Sequence, residues 1–116
     1  MTLIEISKEY FKTFSNKDLS GLQEMFSKEI KLRDWEIEAI GKPNVFIAMK
    51  EIFDSVESIN VQPVNMGSFV AGFTGKPVTV VAELDIVTNG LERLAVVDII
   101  EFTDEGKILG IRAFKG

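Results

Sequence analysis

The sequence predicts an α+β domain in which three helices, with one strand between the second and the third, are followed by an antiparallel meander. Two patterns indicate this fold class. In the first half of the chain apolar residues recur every three or four positions, whereas in the second half they alternate with period two. The 116 residues, of which 46% are hydrophobic and 27% charged, are expected to form one domain over residues 1–116.

The helices are predicted from their apolar stripes and end signals. The first is expected to begin near Leu3 and to stop before the polar residues 16–18. Asp18 is a suitable N-cap for a short second helix, because its carboxylate can accept a hydrogen bond from a free backbone amide. A strand is predicted at about residues 29–40. A third helix is expected to start near Pro43, because proline is well tolerated in the first helical turn.

Four further strands are predicted from residue 59 onward, joined by short turns. The first, over residues 59–73, contains Pro63 and Gly67 and is therefore expected to carry a bend or bulge. The turns are expected at residues 74–77, 89–90 and 104–106. The strongest hairpin signal among them is Asn89-Gly90, since both residue types tolerate a positive φ. The remaining strands then cover residues 78–87, 91–103 and 107–115.

The composition excludes several classes of site. The chain has no cysteine and no histidine, so a disulfide, a Cys- or His-ligated metal site and a histidine-dependent triad are all impossible. Acid–base chemistry must come from carboxylates, the single tyrosine, lysine or arginine. The net charge is −5 and the basic residues are scattered, which argues against nucleic-acid binding.

The N-terminal residues and the hydropathy of the chain bear on its location. The N-terminus lacks the basic start and the long apolar run of a secretory signal. No segment approaches the ~18 consecutive apolar residues that a membrane-spanning helix needs. We therefore expect a cytoplasmic protein that does not associate with a membrane.

Asp98 is the most informative polar residue, because it interrupts an otherwise apolar strand face. The residues that share this face are Leu94, Val96, Ile100 and Phe102. A carboxylate in such a place loses hydration, which is costly unless the group is paired or protonated. Its pKa is expected to rise, which would make Asp98 a proton donor at neutral pH. The alternative is a structural carboxylate bonded to a backbone amide or to an arginine.

Asp34, Tyr10 and Trp35 are weaker candidates. Asp34 follows two apolar residues on one strand face, and the apolar phase switches at Trp35, which predicts a bulge or strand end that can aim a side chain into a site. The alternative for Asp34 is a strand-end carboxylate in water. Tyr10 lies on the apolar stripe of the first helix, where it can simply pack with its hydroxyl at a rim. Trp35 can wall a pocket or fill the core.

Three stretches resemble the bacterial ketosteroid isomerases of the NTF2-like (SnoaL-like) superfamily. Residues 9–26 are similar to the opening helix of the family and to the turn and short helix after it. Residues 30–34 are similar to its first strand and terminal aspartate, and residues 97–114 to its closing hairpin with the D-x-x-x-F, G-K-[IV] and R-A motifs. The resemblance implies an NTF2-like, cystatin-like cone: three N-terminal helices packed on a strongly curved, mainly antiparallel sheet with a deep apolar pocket.

The resemblance also implies roles for the three polar candidates. Asp34 would be the general base, and Tyr10 with a protonated Asp98 would form an oxyanion hole. Trp35 stands where the family usually has proline. The ligand would be an apolar small molecule, with no cofactor and no metal. The pocket walls would come from Phe14, Trp35, Phe53, Phe69, Val80, Ala82, Leu84, Val96 and Phe114.

Three functions are open at this point. The first is a cofactor-independent isomerase that transfers a proton next to a carbonyl group. The second is a polyketide-cyclase-like lyase or hydrolase that uses the same pocket. The third is a non-catalytic module that binds an apolar molecule or a partner protein. In that third case Asp98 would be bonded into the structure, and no cavity would connect it with Asp34 and Tyr10.

A homodimer is also expected. The strand over residues 91–103 is apolar on both faces near its middle, and helices can cover only one side of a sheet. The outer side chains Ala95, Val97 and Ile99 would then pack against a second copy of the chain.

Overall fold

The computed structural model describes residues 1–70 and 77–116. The turn predicted at residues 74–77 lies almost entirely outside these residues. The end of the strand predicted over residues 59–73 also lies outside them, beyond Val70. The other predicted elements can be compared with the structure directly.

The three helices found in these residues are α1 (Leu3–Ser15), α2 (Leu19–Met25) and α3 (Lys42–Asp54). Helix α1 begins with a capping box, in which Thr2 Oγ1 accepts from the amide of Glu5 and Glu5 Oε1 accepts from the amide of Thr2. The N-cap predicted at Asp18 is confirmed, because its Oδ1 accepts a 3.0 Å hydrogen bond from the amide of Gly21. Pro43 lies in the first turn of α3, as expected.

The described strands form one curved sheet. They are β1 (Phe26–Arg33), β2 (Glu38–Ile40), β3 (Ile59–Val70), β4 (Pro77–Thr88), β5 (Glu92–Phe102) and β6 (Ile108–Lys115). Their order across the sheet is β2-β1-β6-β5-β4-β3. The β1–β6 pair is parallel and the other neighbouring pairs are antiparallel. The predicted α+β class with a mainly antiparallel sheet is therefore confirmed.

The prediction of one strand over residues 29–40 is wrong, because this segment forms two strands. Strand β1 begins earlier, at Phe26, and β2 occupies only Glu38–Ile40. Between them the chain turns through residues 34–37, where the amide of Asp34 donates to the carbonyl of Ile37 at 2.9 Å. This turn is the strand end that the change of apolar phase at Asp34 and Trp35 indicates.

Strand β3 carries the expected bulge next to its proline. Its pairing with β4 shifts register between Pro63 and Asn65, which leaves Val64 without a partner residue. Gly67 pairs with no such shift, and the pairing is irregular again only between Phe69 and Val70. The hairpin at residues 89–90 joins β4 to β5, with φ of 54° at Asn89 and 73° at Gly90. Both angles lie in the left-handed region that a type I′ turn requires.

One face of the sheet packs against the helices and forms the core. On β5 the side chains of Val96, Asp98 and Ile100 are buried, whereas Val97 on the opposite face is 37% exposed. The alternation of the strand thus turns the carboxyl group of Asp98 toward the helices. None of the helices within residues 1–70 and 77–116 is long and apolar enough to cross a membrane.

Candidate functional site

A cavity of about 240 Å³ lies between the core face of the sheet and helices α1 and α3. Tyr10, Asp34 and Asp98 all line it, together with Phe14, Trp35, Leu84 and Val96 from the predicted walls. The other lining residues are Phe11, Leu32, Glu36, Ile37, Met49, Ile52, Val56, Ile59, Val61, Ile86, Thr88, Leu94, Ile111 and Ala113. Three groups that are far apart in the sequence therefore meet at one mainly apolar hollow.

Tyr10 reaches the cavity from α1 and is only 3% exposed. It sits among aromatic side chains, with ring centroids 5.5 Å from Phe11, 6.0 Å from Phe14 and 6.3 Å from Phe26. Burial, and then the nearby charge of Asp98, raises the pKa of Tyr10 well above its usual value of 10.0. The phenol therefore stays protonated at physiological pH and is available as a hydrogen-bond donor.

Asp98 reaches the cavity from the middle of β5 and is 7% exposed. Its neighbours on β4 and β6 are Ala82 and Ala113, so small side chains flank the carboxyl group on both sides. Burial, and then the negative charge of Asp34, raises the pKa of Asp98 from 3.8 to about 7. The expectation of a raised pKa, drawn from one carboxyl on an apolar strand face, agrees with this geometry.

Asp34 occupies the end of β1, where it is half-buried. Its Oδ1 accepts hydrogen bonds from the amides of Glu36 at 2.7 Å and Ile37 at 2.6 Å. The residue therefore organises the turn at residues 34–37 as well as lining the cavity. Asp34 is thus a strand-end residue, as the change of apolar phase indicates, and it is half-buried on the lining of the cavity.

Trp35 lies on the rim of the cavity. Its side chain is partly exposed, and Lys115 Nζ from the end of β6 lies 5.5 Å from the centre of the indole ring. A cation at this distance over an indole is attracted to the ring face. The contact holds Trp35 against the end of β6, at the edge of the site.

Five of the predicted wall residues do not line the cavity. Phe69 and Phe114 are 54% and 45% exposed; Phe69 pairs with Thr79 and Phe114 with Val97, which places both on the outer face of the sheet. Val80 and Ala82 are on the core face but are fully buried in packed core. Phe53 packs behind Phe14, with ring centroids 4.9 Å apart.

On α3 the predicted wall residue is Phe53, and sequence reasoning missed the residues that do line the cavity there. Met49 and Ile52 of α3, and Val56 just after it, line the cavity, and in the sequence they form part of an ordinary helical stripe. The stripe identifies the face that turns inward, but it does not show whether that face meets solid core or a hollow. That difference depends on the distance between the helix and the sheet, which no local pattern encodes.

No protein-family model matches the chain, and no curated protein matches it by sequence. Solved structures do match its fold. The epoxide hydrolase/cyclase-like enzyme SalBIII, which has a role in pyran ring formation in the polyether salinomycin, matches with a TM-score of 0.79 and 24% identity. The match covers 98% of this chain and 90% of SalBIII.

Two further matches have TM-scores of 0.77 and 11% identity. A protein from Kribbella flavida that is assigned as a ketosteroid isomerase matches over 97% of this chain and 76% of its own. Nuclear transport factor 2 from Cryptosporidium parvum matches over 97% of this chain and 90% of its own. These likenesses show that the chain has the NTF2-like fold, which confirms the fold that the sequence resemblance implies.

Proposed function

We propose that this chain, which has the NTF2-like fold, is a cofactor-independent isomerase that moves a proton next to a carbonyl group. The observation that supports this most strongly is the meeting of Tyr10, Asp34 and Asp98 at one apolar cavity. The buried carboxyl of Asp98 keeps its proton near neutral pH, because burial and the nearby negative charge of Asp34 raise its pKa to about 7. One acid that donates and one that accepts is the arrangement that proton shuttling needs.

In the proposed reaction, Asp34 acts as the base. Its carboxylate takes a proton from the carbon beside the substrate carbonyl, and the electron pair of that C–H bond moves to form an enolate. Asp34 then returns the proton to the γ-carbon, which converts a β,γ-unsaturated ketone into the α,β-unsaturated isomer. Because the two amide hydrogen bonds described for Asp34 both go to Oδ1, the acceptor in this step is Oδ2.

Tyr10 and Asp98 act as the donors to the enolate oxygen. Both side chains are buried, and at a buried position a hydrogen bond to a developing negative charge is worth more than in solution. Burial keeps the phenol and the carboxyl protonated, since the charged form of each is disfavoured there. Removing one such donor typically slows an enzyme by about 100-fold to 1,000-fold.

The cavity favours this proposal over a purely structural role for the acids. Burial, and then the charge of Asp34, are the causes of the raised pKa of Asp98, and no hydrogen bond from residues 1–70 or 77–116 is among them. A carboxyl bonded into the scaffold of the sheet would instead show a hydrogen-bonded partner. Its carboxyl group is thus available to a ligand.

A second reaction is compatible with the same groups. SalBIII, at 24% identity, is epoxide hydrolase/cyclase-like, and a protonated carboxyl beside a carboxylate can equally protonate an epoxide oxygen while the other activates a nucleophile. A substrate panel that includes both small epoxides and β,γ-unsaturated ketones separates the two chemistries.

The test of the isomerase compares the wild type with Asp34→Asn on a β,γ-unsaturated ketone, followed by the ultraviolet absorbance of the conjugated product. We expect the rate of Asp34→Asn to fall by at least about 100-fold, because the amide cannot act as a base. Asp85→Asn is the matched control, since Asp85 pairs with Arg93 at 2.7 Å on the outer face of the sheet. Equal rates for wild type and Asp34→Asn would remove Asp34 from the role of base.

A further inference from the structure

We infer that Lys17 and Asn89 are positioning residues, which together fix the segment of residues 55–58 at the edge of the cavity. This segment joins α3 to β3, and Val56 within it and Ile59 just after it line the cavity. Both of these side chains are half-buried, so the segment lies where the cavity meets solvent. The expected effect on turnover rests on the proposed function, whereas the hold on the segment follows from the hydrogen bonds alone.

The side chains of Lys17 and Asn89 bind the same two peptide groups from opposite ends. The first group lies between Val56 and Glu57; its carbonyl accepts from Nζ of the lysine at 2.6 Å, and its amide donates to Oδ1 of the asparagine at 2.8 Å. The second group lies between Glu57 and Ser58, and the corresponding distances are 3.2 Å and 3.4 Å. Because a hydrogen bond to the carbonyl of a peptide group polarises its N–H, the two contacts on each group strengthen one another.

Each of the two residues makes one further contact with this region. Lys17 Nζ also donates to the carbonyl of Phe53, in the last turn of α3, at 2.8 Å. The backbone amide of Asn89 donates to the carbonyl of Ser58 at 2.9 Å. The segment is therefore tied on one side to the end of α1 and on the other side to the hairpin between β4 and β5.

The backbone of both residues is in the left-handed region. Lys17 and Asn89 each have a φ of 54°, and within residues 1–70 and 77–116 they are the non-glycine residues with a positive φ. Lys17 directly follows Asn16, the C-cap of α1, where glycine is the usual residue because it has no Cβ. A lysine keeps an unfavourable backbone conformation there, and its side chain makes hydrogen bonds that glycine cannot make. Such outliers persist where the surrounding structure fixes them, and they cluster at functional sites.

The segment belongs to the wall of the cavity and carries none of the three proposed reacting groups. Tyr10, Asp34 and Asp98 lie on α1, at the end of β1 and on β5. A looser segment would therefore weaken apolar contacts that a ligand makes equally in the ground state and in the transition state. Loss of such uniform binding raises KM and leaves kcat unchanged.

Glycine substitutions remove the two side chains and keep both backbone conformations. Lys17→Gly places the preferred residue at a left-handed position, and Asn89→Gly leaves a Gly-Gly pair, which also forms a type I′ turn. Lys17→Met is the matched variant, because it loses the same hydrogen bonds but retains a Cβ in the left-handed region. We expect Lys17→Gly to unfold at a higher urea concentration than Lys17→Met. This pair separates the hold on the segment from the stability of the whole protein.

Native-state hydrogen exchange of the Glu57 amide measures the hold on the segment. Its rate is expected to rise about 10-fold in Lys17→Gly and in Lys17→Met alike, although Asn89, its own acceptor, is unchanged. Asn89→Gly should raise the rate as well, whereas Asn89→Asp keeps an oxygen acceptor and should exchange at nearly the wild-type rate. A wild-type rate in Lys17→Gly, or a rise that follows the urea midpoints, would overturn the inference.

Ligand binding measures the effect on the wall. The probe is 4-propylcyclohexanone at pH 6, followed by the fluorescence of Trp35, the only tryptophan of the chain and a lining residue of the cavity. We expect Kd to rise about tenfold in both glycine variants, which corresponds to the loss of roughly one apolar side-chain contact. Turnover of a β,γ-unsaturated ketone should show a similar rise in KM, with kcat within about twofold of the wild type. A fall in kcat at unchanged KM would contradict a role through the wall.

Exchange and binding separate this inference from the proposed function. Faster exchange and weaker binding in the glycine variants, with no turnover of any ketone by the wild type, would refute the isomerase and leave the positioning role standing. Turnover by the wild type, with exchange and KM unchanged in both glycine variants, would refute the positioning role and leave the isomerase standing.

Discussion

Asp98 lies at a buried position of the sheet whose neighbours on the adjacent strands are small. The neighbouring strands present the small side chains of Ala82 and Ala113, and Asp98 itself is only 7% exposed. The strand alternation alone predicts this burial, because Asp98 shares its face with Leu94, Val96, Ile100 and Phe102. The charge contributed by Asp34 is not visible in the sequence, since it depends on two strands that are distant along the chain.

The pH dependence of the rate follows from the pKa of Asp98. As a donor it must be protonated, so kcat/KM is expected to fall as the pH rises through about 7. Asp98→Asn keeps a donor that does not titrate, and its profile should lose this fall while its rate at pH 6 drops by about 100-fold or less. The measurement is kcat/KM between pH 5 and 9 for both proteins. An unchanged fall in the variant would assign the titration to another group.

The raised pKa of Asp98 also determines the direction in which the stability of the protein changes with pH. The pKa of Asp98 is raised in the folded state, so between pH 4 and 7 the unfolded chain loses this proton while the folded chain keeps it. Stability therefore decreases with rising pH across that window, by about 4 kcal/mol from this group. Urea unfolding should show that the free energy of unfolding of Asp98→Asn, relative to that of the wild type, is higher at pH 8 than at pH 4. A stability difference that is independent of pH would contradict a raised pKa.

At the scale of elements, the turn between β1 and β2 depends on Asp34, the same residue that is proposed as the base. Asp34 Oδ1 holds the amides of Glu36 and Ile37, and this fixes both the turn and the carboxylate. The sequence indicates a break here through the switch of apolar phase, yet it does not separate a bulge from a turn between two strands. The difference depends on the short strand β2 finding its partner on β1.

Two substitutions of Asp34 should differ in stability although both abolish the base. Asp34→Asn retains an oxygen acceptor for the two amides, so its melting temperature should stay close to that of the wild type. Asp34→Ala leaves these amides without their acceptor and is expected to cost about 1–3 kcal/mol. Thermal unfolding of both variants makes the comparison, and equal stabilities would show that the turn does not depend on the carboxylate.

Lys17 anchors the end of α3, which supplies part of the cavity wall. Its Nζ donates to the carbonyls of Phe53 at 2.8 Å, Val56 at 2.6 Å and Glu57 at 3.2 Å. Lys17→Met keeps the apolar stem but loses these bonds, so we expect about 2 kcal/mol lower stability and weaker ligand binding through Val56. Urea unfolding measures the stability, and the change of Trp35 fluorescence on adding a ketone measures the binding. Lys8→Met, at an exposed position, is the control. No change relative to that control would refute the anchoring role.

At the scale of the whole molecule, the outer face of the sheet is incompletely covered. Val97 and Phe114 are paired on adjacent strands and both are exposed, and Ala95 lies beside them. We propose that a second copy of the chain packs against this face. The patch follows from strand alternation, which is visible in the sequence. Phe114, which the resemblance placed in the pocket wall, lies on this outer face instead, since it pairs with Val97.

The homodimer is tested by sedimentation equilibrium at micromolar concentration. The wild type is expected to sediment as a dimer, and Val97→Lys as a monomer, because a lysine at the centre of the patch would lose its hydration on association. Leu91→Lys, at the exposed hairpin end of β5, is the control and should remain dimeric. A monomeric wild type would contradict the proposal.

More of the fold than of the cavity could be predicted from the sequence. Helix stripes, the Asp18 cap and the Asn89-Gly90 hairpin are local features, and each is present in the structure. The parallel pairing of β1 with β6 and the hollow under α3 arise from contacts between distant segments. Local pattern cannot specify those, so Tyr10, Asp34 and Asp98 could be selected individually but the shape of the space between them could not.

The most direct test of the central claim is a ¹³C NMR titration of the aspartate carboxyl carbons, with Asp98 assigned through Asp98→Asn. The account predicts that Asp98 titrates near pH 7 in the wild type, and at a lower pH in Asp34→Asn, where the neighbouring negative charge is gone. An Asp98 carboxyl that titrates near 4 in the wild type, or that does not respond to Asp34→Asn, would contradict the pairing of a protonated and an ionised acid in one cavity.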